Sequence, residues 1–107
     1  MEYLTGSLSV DAFIAAVTHE KPVLVDFYAT WCEPCKYLDE ILTELEPRLK
    51  DKATIIKLDV DDHPELKKHF TIMSVPTLMI FKNGELQWRM PGFMVLNEME
   101  NKVLEFV

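Results

Sequence analysis

The stretch Val23-Leu24-Val25-Asp26-Phe27-Tyr28-Ala29 limits what this chain can fold into more than any other. A run with one charge and no regular polar alternation does not suit a sheet with one wet face, where every second side chain meets water. It reads as a central strand buried on both faces, which needs a layer of helices on each side. The rest of the chain supplies those helices. Val10, Phe13, Ile14 and Val17 share one helical stripe, with Ser9 as N-cap and His19-Glu20-Lys21-Pro22 as the stop. Leu38, Ile41, Leu42, Leu45 and Leu49 form a second stripe after Trp31, with Pro34 in its first turn and a kink or an end expected near Glu46, just before Pro47. Asp62 with Pro64 opens a short helix to about Phe70. Leu96, Met99, Val103 and Phe106 mark a last helix, with Asn97 and Glu100 at capping-box spacing.

Further strands are expected over residues 53–60, which alternate and are β-branched, and over residues 77–81. Lys82-Asn83-Gly84-Glu85 carries the Asn-Gly signal of a two-residue hairpin, so residues 86–90 return antiparallel to 77–81. A short strand near Tyr3 precedes the first helix. Strands joined through helices imply parallel pairing with right-handed crossovers, and the hairpin adds an antiparallel edge. The expected fold is α/β: a mixed central sheet flanked by helices on both faces. A chain of 107 residues suits one domain over its whole length, and no repeat or linker divides it.

Eighteen acidic and 11 basic residues leave a formal net charge of -7. That charge argues against non-specific binding to nucleic acid or an anionic membrane, both of which need basic surface. The first residues carry no positive region followed by an apolar one, and no run approaches the ~18 apolar residues that span a bilayer. A soluble, cytosolic, monomeric protein is expected.

The two cysteines are Cys32 and Cys35. Two cysteines placed at random in such a chain fall three apart only about 2% of the time, so the spacing carries information. One short-range pair closes almost no loop and cannot staple a miniprotein. A cytosolic Cys-x-x-Cys is redox-active or metal-binding more often than structural. Cys32 sits where a strand gives way to a helix, and free N–H groups and the helix dipole there favour a thiolate. Cys35, one turn on, lies on the same side of the helix. The rival readings are half of a zinc site, which lacks a second Cys-x-x-Cys and a usual pattern among His19, His63 and His69, or two incidental thiols. Asp26 is either buried, with a raised pKa, or solvated at a strand edge. Lys57 is an exposed strand position or a partner of that site. Pro76 starts a strand and has the one bond type that adopts cis cheaply. Trp31 serves core packing, an apolar rim, or both. His63 and His69 are expected to be solvated, and the six methionines to pack the core.

The segment Val25-Asp26-Phe27-Tyr28-Ala29-Thr30-Trp31-Cys32-Glu33-Pro34-Cys35-Lys36 resembles the active site of the thioredoxin family, and Val75-Pro76-Thr77 resembles that family's cis-proline loop. Lys82-Asn83-Gly84, Gly92 and the order of elements agree, so the resemblance covers nearly the whole chain. It implies the thioredoxin fold and a dithiol that reduces protein disulfides. Cys32 would attack and Cys35 resolve, and Asp26 would serve as proton acceptor with Lys57 beside it. Trp31, Glu33, Pro34, Val75, Pro76, Gly92 and Phe93 would form the substrate-binding surface. It also implies no bound cofactor and no metal, with electrons from a separate NADPH-dependent thioredoxin reductase.

Several residues depart from the family pattern. Glu33 stands where a glycine is usual and Tyr28 where a tryptophan is usual. Asp39 and Glu40 occupy the place of a mid-helix proline, and Pro91 and Phe93 bracket Gly92 with bulk. These departures bear on partner choice and redox potential. The alternatives to a general reductant are a homologue dedicated to one partner and a non-catalytic module that binds through the apolar rim.

Overall fold

A computed structural model describes residues 1–107. Five strands and four helices follow in the order β1 (Glu2–Tyr3), α1 (Val10–Val17), β2 (Val23–Tyr28), α2 (Glu33–Leu49), β3 (Thr54–Asp59), α3 (Pro64–His69), β4 (Thr77–Lys82), β5 (Glu85–Pro91) and α4 (Leu96–Leu104). The sheet order is β1-β3-β2-β4-β5. β2 runs parallel to β3 and antiparallel to β4, which places the long apolar run at the centre of the sheet. All of its residues but Tyr28 are buried.

Strand alternation divides the core in two. Val23, Val25 and Phe27 of β2 join Ile56, Leu58, Met79 and Phe81 on one face, under Phe13 and Val17 of α1 and Leu66 of α3. Leu24 joins Ile55, Leu78 and Ile80 on the other face, under the leucines of α2 and Met99 and Val103 of α4. The first face is aromatic: the rings of Phe13, Phe27, Phe70 and Phe81 lie 5.4–6.0 Å apart in tilted and edge-to-face pairs.

Caps and turns follow local chemistry. The Ser9 hydroxyl accepts from the Ala12 amide and starts α1. Asn83 and Gly84 both have positive φ, as a type I′ hairpin requires. A Cβ on Gly84 would come within 2.7 Å of Thr18 Oγ1, so the turn also needs glycine for space.

The structure departs from the sequence-based expectations at several points. α2 does not end near Glu46 but runs through Pro47 to Leu49. Pro47 and Thr43 are exposed, so the Thr43 carbonyl that the proline leaves without a donor faces water, while Leu45 and Leu49 gain burial. The capping box at Asn97 and Glu100 does not form: α4 is capped by Val95 with no side-chain bond, and both polar groups accept from Arg48 of α2 instead. The crossover through α3 does not return β4 parallel to β3. Six helical residues rise ~9 Å, too little to cross back over a strand of ~20 Å, so β4 starts at the end where β3 stops. His63 is buried rather than solvated, with Nδ1 2.9 Å from the Asp59 carbonyl. Of the methionines, only Met79 and Met99 are buried, and Met73 is 87% exposed.

Candidate active site

The chain leaves the core at Ala29, turns through exposed Thr30 and Trp31, and enters α2 with Cys32 as its N-cap. The Cys32 amide donates to the Ala29 carbonyl at 3.3 Å, and the Cys35 amide donates to Cys32 Sγ at 3.2 Å. Cys32 and Cys35 are joined by a disulfide, with Cα atoms 5.3 Å apart. A sulfur that accepts an amide proton at a helix start is placed where a thiolate gains most from the dipole. In the disulfide both cysteines are 4% exposed. They join the aromatic half of the core, with Val60 and Ile72 in the same cluster.

The loop before β4 covers the pair. The Val75–Pro76 bond is cis, and the Val75 carbonyl oxygen lies 3.6 Å from Cys32 Sγ. In the dithiol state the Cys32 thiol can donate to that oxygen; in the disulfide the two are in contact. Pro76 is buried and its carbonyl accepts from the Gly92 amide at 2.8 Å, which ties the end of β5 to the loop. Gly92 has φ +86°, a conformation other residues adopt only with strain. Trp31 is 69% exposed, so it packs no core; its Nε1 donates to Asp61 Oδ2 at 2.9 Å. Trp31, Met73 and Val75 line a small cavity over Ile72 and Val60. Phe93 is exposed, as are Pro34 and Glu33 in the first turn of α2. Glu33 is paired with Lys36 at 2.9 Å. Sequence reasoning passed over Met73 and Asp61, which carry no spacing signal.

Asp26 is fully buried, and neither carboxyl oxygen has a hydrogen-bond partner within the protein. Burial pushes its pKa up to about 7; the Lys57 ammonium pulls it down and the Asp39 carboxylate adds to the rise. Lys57 stands opposite Asp26 in the β2–β3 register and is 4% exposed, so the reading of an exposed strand position is overturned. Its Nζ bonds Asp39 Oδ1 and lies 3.9 Å from Asp26 Oδ2. The rings of Tyr3 and Tyr28 flank it at 5.2 and 4.8 Å. Burial pulls the Lys57 pKa down, but the bond to Asp39 and the two nearby carboxylates outweigh it, and the ammonium is held above its ordinary value. Asp39 is the partner that sequence reasoning missed. Its signal was a lysine inside the apolar run Ile55-Ile56-Lys57-Leu58, which needs a counter-charge when buried.

No three His, Cys, Asp or Glu side chains gather as a metal-holding group, and no helix is long and apolar enough to cross a membrane.

The family model for thioredoxin matches residues 5–105. The chain belongs to the thioredoxin family. Thioredoxin of Alicyclobacillus acidocaldarius is 39% identical over 94% of this chain and 96% of its own length. The bifunctional thioredoxin reductase/thioredoxin of Mycobacterium leprae is 41% identical over 75% of this chain, which matches 18% of that larger protein. The solved Plasmodium falciparum thioredoxin superposes with a TM-score of 0.83 at 27% identity over the full length of both chains. With thioredoxin relatives over nearly its whole length and Cys32 and Cys35 in a disulfide, the chain is a thiol–disulfide oxidoreductase of the thioredoxin fold.

Proposed function

We infer that this domain, residues 1–107, reduces disulfides in protein substrates as a monomeric dithiol carrier in the cytosol. The observation that carries this is the Cys32–Cys35 pair at the start of α2, under the Val75 carbonyl; Asp26, in the preceding strand, is buried and has its pKa raised by that burial. In the dithiol, the Cys32 thiolate attacks one sulfur of a substrate disulfide. A bond forms between Cys32 and that sulfur, and the other substrate sulfur leaves as a thiolate. Asp26 then takes the Cys35 proton, directly or through water. The Cys35 thiolate attacks Cys32 Sγ, forms the intramolecular disulfide and releases the second substrate thiolate. Two electrons pass to the substrate, and its thiolates take up protons.

The substrate chain lies along the Val75 backbone and against Trp31, Pro34, Gly92 and Phe93, with Glu33 at the edge. No bound cofactor is needed. A separate NADPH-dependent thioredoxin reductase returns the electrons, a partnership that fits the fusion named in the Mycobacterium leprae relative.

Insulin-disulfide reduction separates this function from mere binding. The wild type should reduce insulin, whereas Cys32→Ser and Cys35→Ser should fall to background. Cys35→Ser should accumulate mixed disulfides through Cys32, and Cys32→Ser should not. Faster alkylation of Cys35 than of Cys32 in the dithiol would reverse the two roles, and turnover by Cys35→Ser would refute the resolving step.

A further inference from the structure

Lys57 offers one ammonium to two carboxylates, and the nearer is not the buried one. Asp39, on α2 one turn after Cys35, takes the hydrogen bond; Asp26 Oδ2 stays 3.9 Å away, at ion-pair distance but beyond a hydrogen bond. Asp39 keeps 43% of its side chain exposed, while Asp26 has none. Lys57, Asp39 and Cys35 line one cavity of about 390 Å³, together with Tyr3 and Tyr28. The Tyr3 and Tyr28 rings lie 5.2 and 4.8 Å from the ammonium, and its one hydrogen bond goes to Asp39.

We propose that Asp39 is a positioning residue for the resolving half-reaction: by holding the Lys57 ammonium it keeps that cation from hydrogen-bonding to Asp26, and so leaves the lone pairs of the buried carboxylate free to take the Cys35 proton. The proposal rests on the reaction inferred above and adds a residue to it.

The physics has one sign throughout. An ammonium bonded to Asp26 would occupy its lone pairs and favour its ionised form, which weakens it as a base. The negative charge of Asp39 acts in the opposite sense and raises the proton affinity of Asp26 directly. The other charged or titratable groups on this side are Tyr3 of β1, Tyr28 of β2, Asp59 of β3, and Cys35, Lys36 and Glu40 of α2. β4 places Leu78 opposite Asp26, and α4 presents Met99 and Val103 to this face. Among the acids, Asp39 is the one bonded to Lys57.

The test uses the full chain in two measurements. In the oxidised protein, the Asp26 carboxyl is titrated by carbon-13 NMR in wild type, Asp39→Asn and Asp39→Ala. Its midpoint should fall by about one pH unit in Asp39→Ala, and by less in Asp39→Asn, which keeps an acceptor for Lys57. In the second measurement Cys32 carries a 5-thio-2-nitrobenzoate group as a mixed disulfide. Cys35 loses its proton to Asp26, attacks Cys32 Sγ and releases the coloured thiolate. The pH profile of that release should move to lower pH by the same amount, and its plateau should drop about threefold because a weaker base accepts the proton. A salt bridge that merely braced α2 would change thermal stability and leave both midpoints in place; that outcome overturns the proposal. A shifted Asp26 titration with an unmoved release profile overturns it as well. Wild type that fails to reduce insulin counts against the proposed function instead, because the titration is read in the oxidised protein without turnover.

Discussion

The two faces of the sheet are built from the same strands and do different work. On the face under α1 and α3, every residue of β2 is apolar, and three phenylalanine rings pack around Phe13. On the face under α2 and α4, the corresponding row places Asp26 beside Lys57 and reaches Asp39 on the helix. The first arrangement gains free energy from each buried ring. The second gives some of it up, because a carboxyl without a hydrogen bond costs several kcal/mol to ionise when buried. The aromatic packing and the buried charges are thus divided between opposite sides of one strand, while the disulfide itself joins the aromatic cluster. A residue can be tuned for proton transfer because its neighbours at positions 25 and 27 hold the fold.

Breaking the apolar side should give the largest effect. Phe13→Ala removes a fully buried ring from four-way aromatic packing and should lower unfolding free energy by about 3–5 kcal/mol in urea titration. The Asp26 titration should stay where it is. A loss under about 1 kcal/mol, or a moved Asp26 midpoint, would mean that the two faces are not separate in this way.

The polar side should respond with the opposite sign. The folded pKa of Asp26, about 7, lies above its ordinary 3.8. Below pH ~4 the group is protonated whether the chain is folded or not, and it costs nothing. As pH rises from about 4 to about 7, the unfolded chain ionises while the folded one resists, so stability falls, and it levels off above 7. Asp26→Asn removes that fall. Relative to the gap at pH 4, the variant should gain roughly 3–4 kcal/mol over wild type by pH 8. Parallel stability curves across that range would contradict the buried acid.

The smallest effect concerns Glu33, which pairs with Lys36 three residues on, with both side chains largely in water. It is the exposed counterpart of the pair that Asp39, on the same helix, makes with Lys57 of β3. Its charge opposes a Cys32 thiolate, but Lys36 and solvent screen it. Glu33→Gln should lower the pH midpoint of Cys32 alkylation by less than about 0.4 units at low salt, and the shift should vanish at physiological salt. A shift that grew with salt would rule out the electrostatic account.

Much of the fold was legible because its signals are local. Strand burial, the Ser9 cap and the Asn83-Gly84 turn each follow from a few adjacent residues. Some failures involve partners distant in sequence. Asn97 and Glu100 have capping spacing, yet Arg48 across the helix pair claims them. His63 misled locally: it sits in a polar stretch, yet it is buried with Nδ1 against the Asp59 carbonyl four residues back. At the site, the cysteine spacing and the charge inside the apolar run could be read directly. The role of Asp39 could not, since a half-exposed aspartate on a helix looks the same with or without a lysine behind it.

The short helix α3 has a consequence for how the site comes into being. Because α3 turns the chain without recrossing the sheet, β4 returns alongside β2 from the cysteine end, and Val75 reaches Cys32 across 43 positions of sequence. Closing so long a loop is slow and entropically costly, and its reward comes only when β2 and β4 zip together. A nascent chain that ends near residue 70 would already carry both thiols, the buried acid and the lysine, but no carbonyl over the sulfur. The reactive dithiol is therefore completed at the same moment as the sheet that houses it, and a half-made chain cannot hold the finished site.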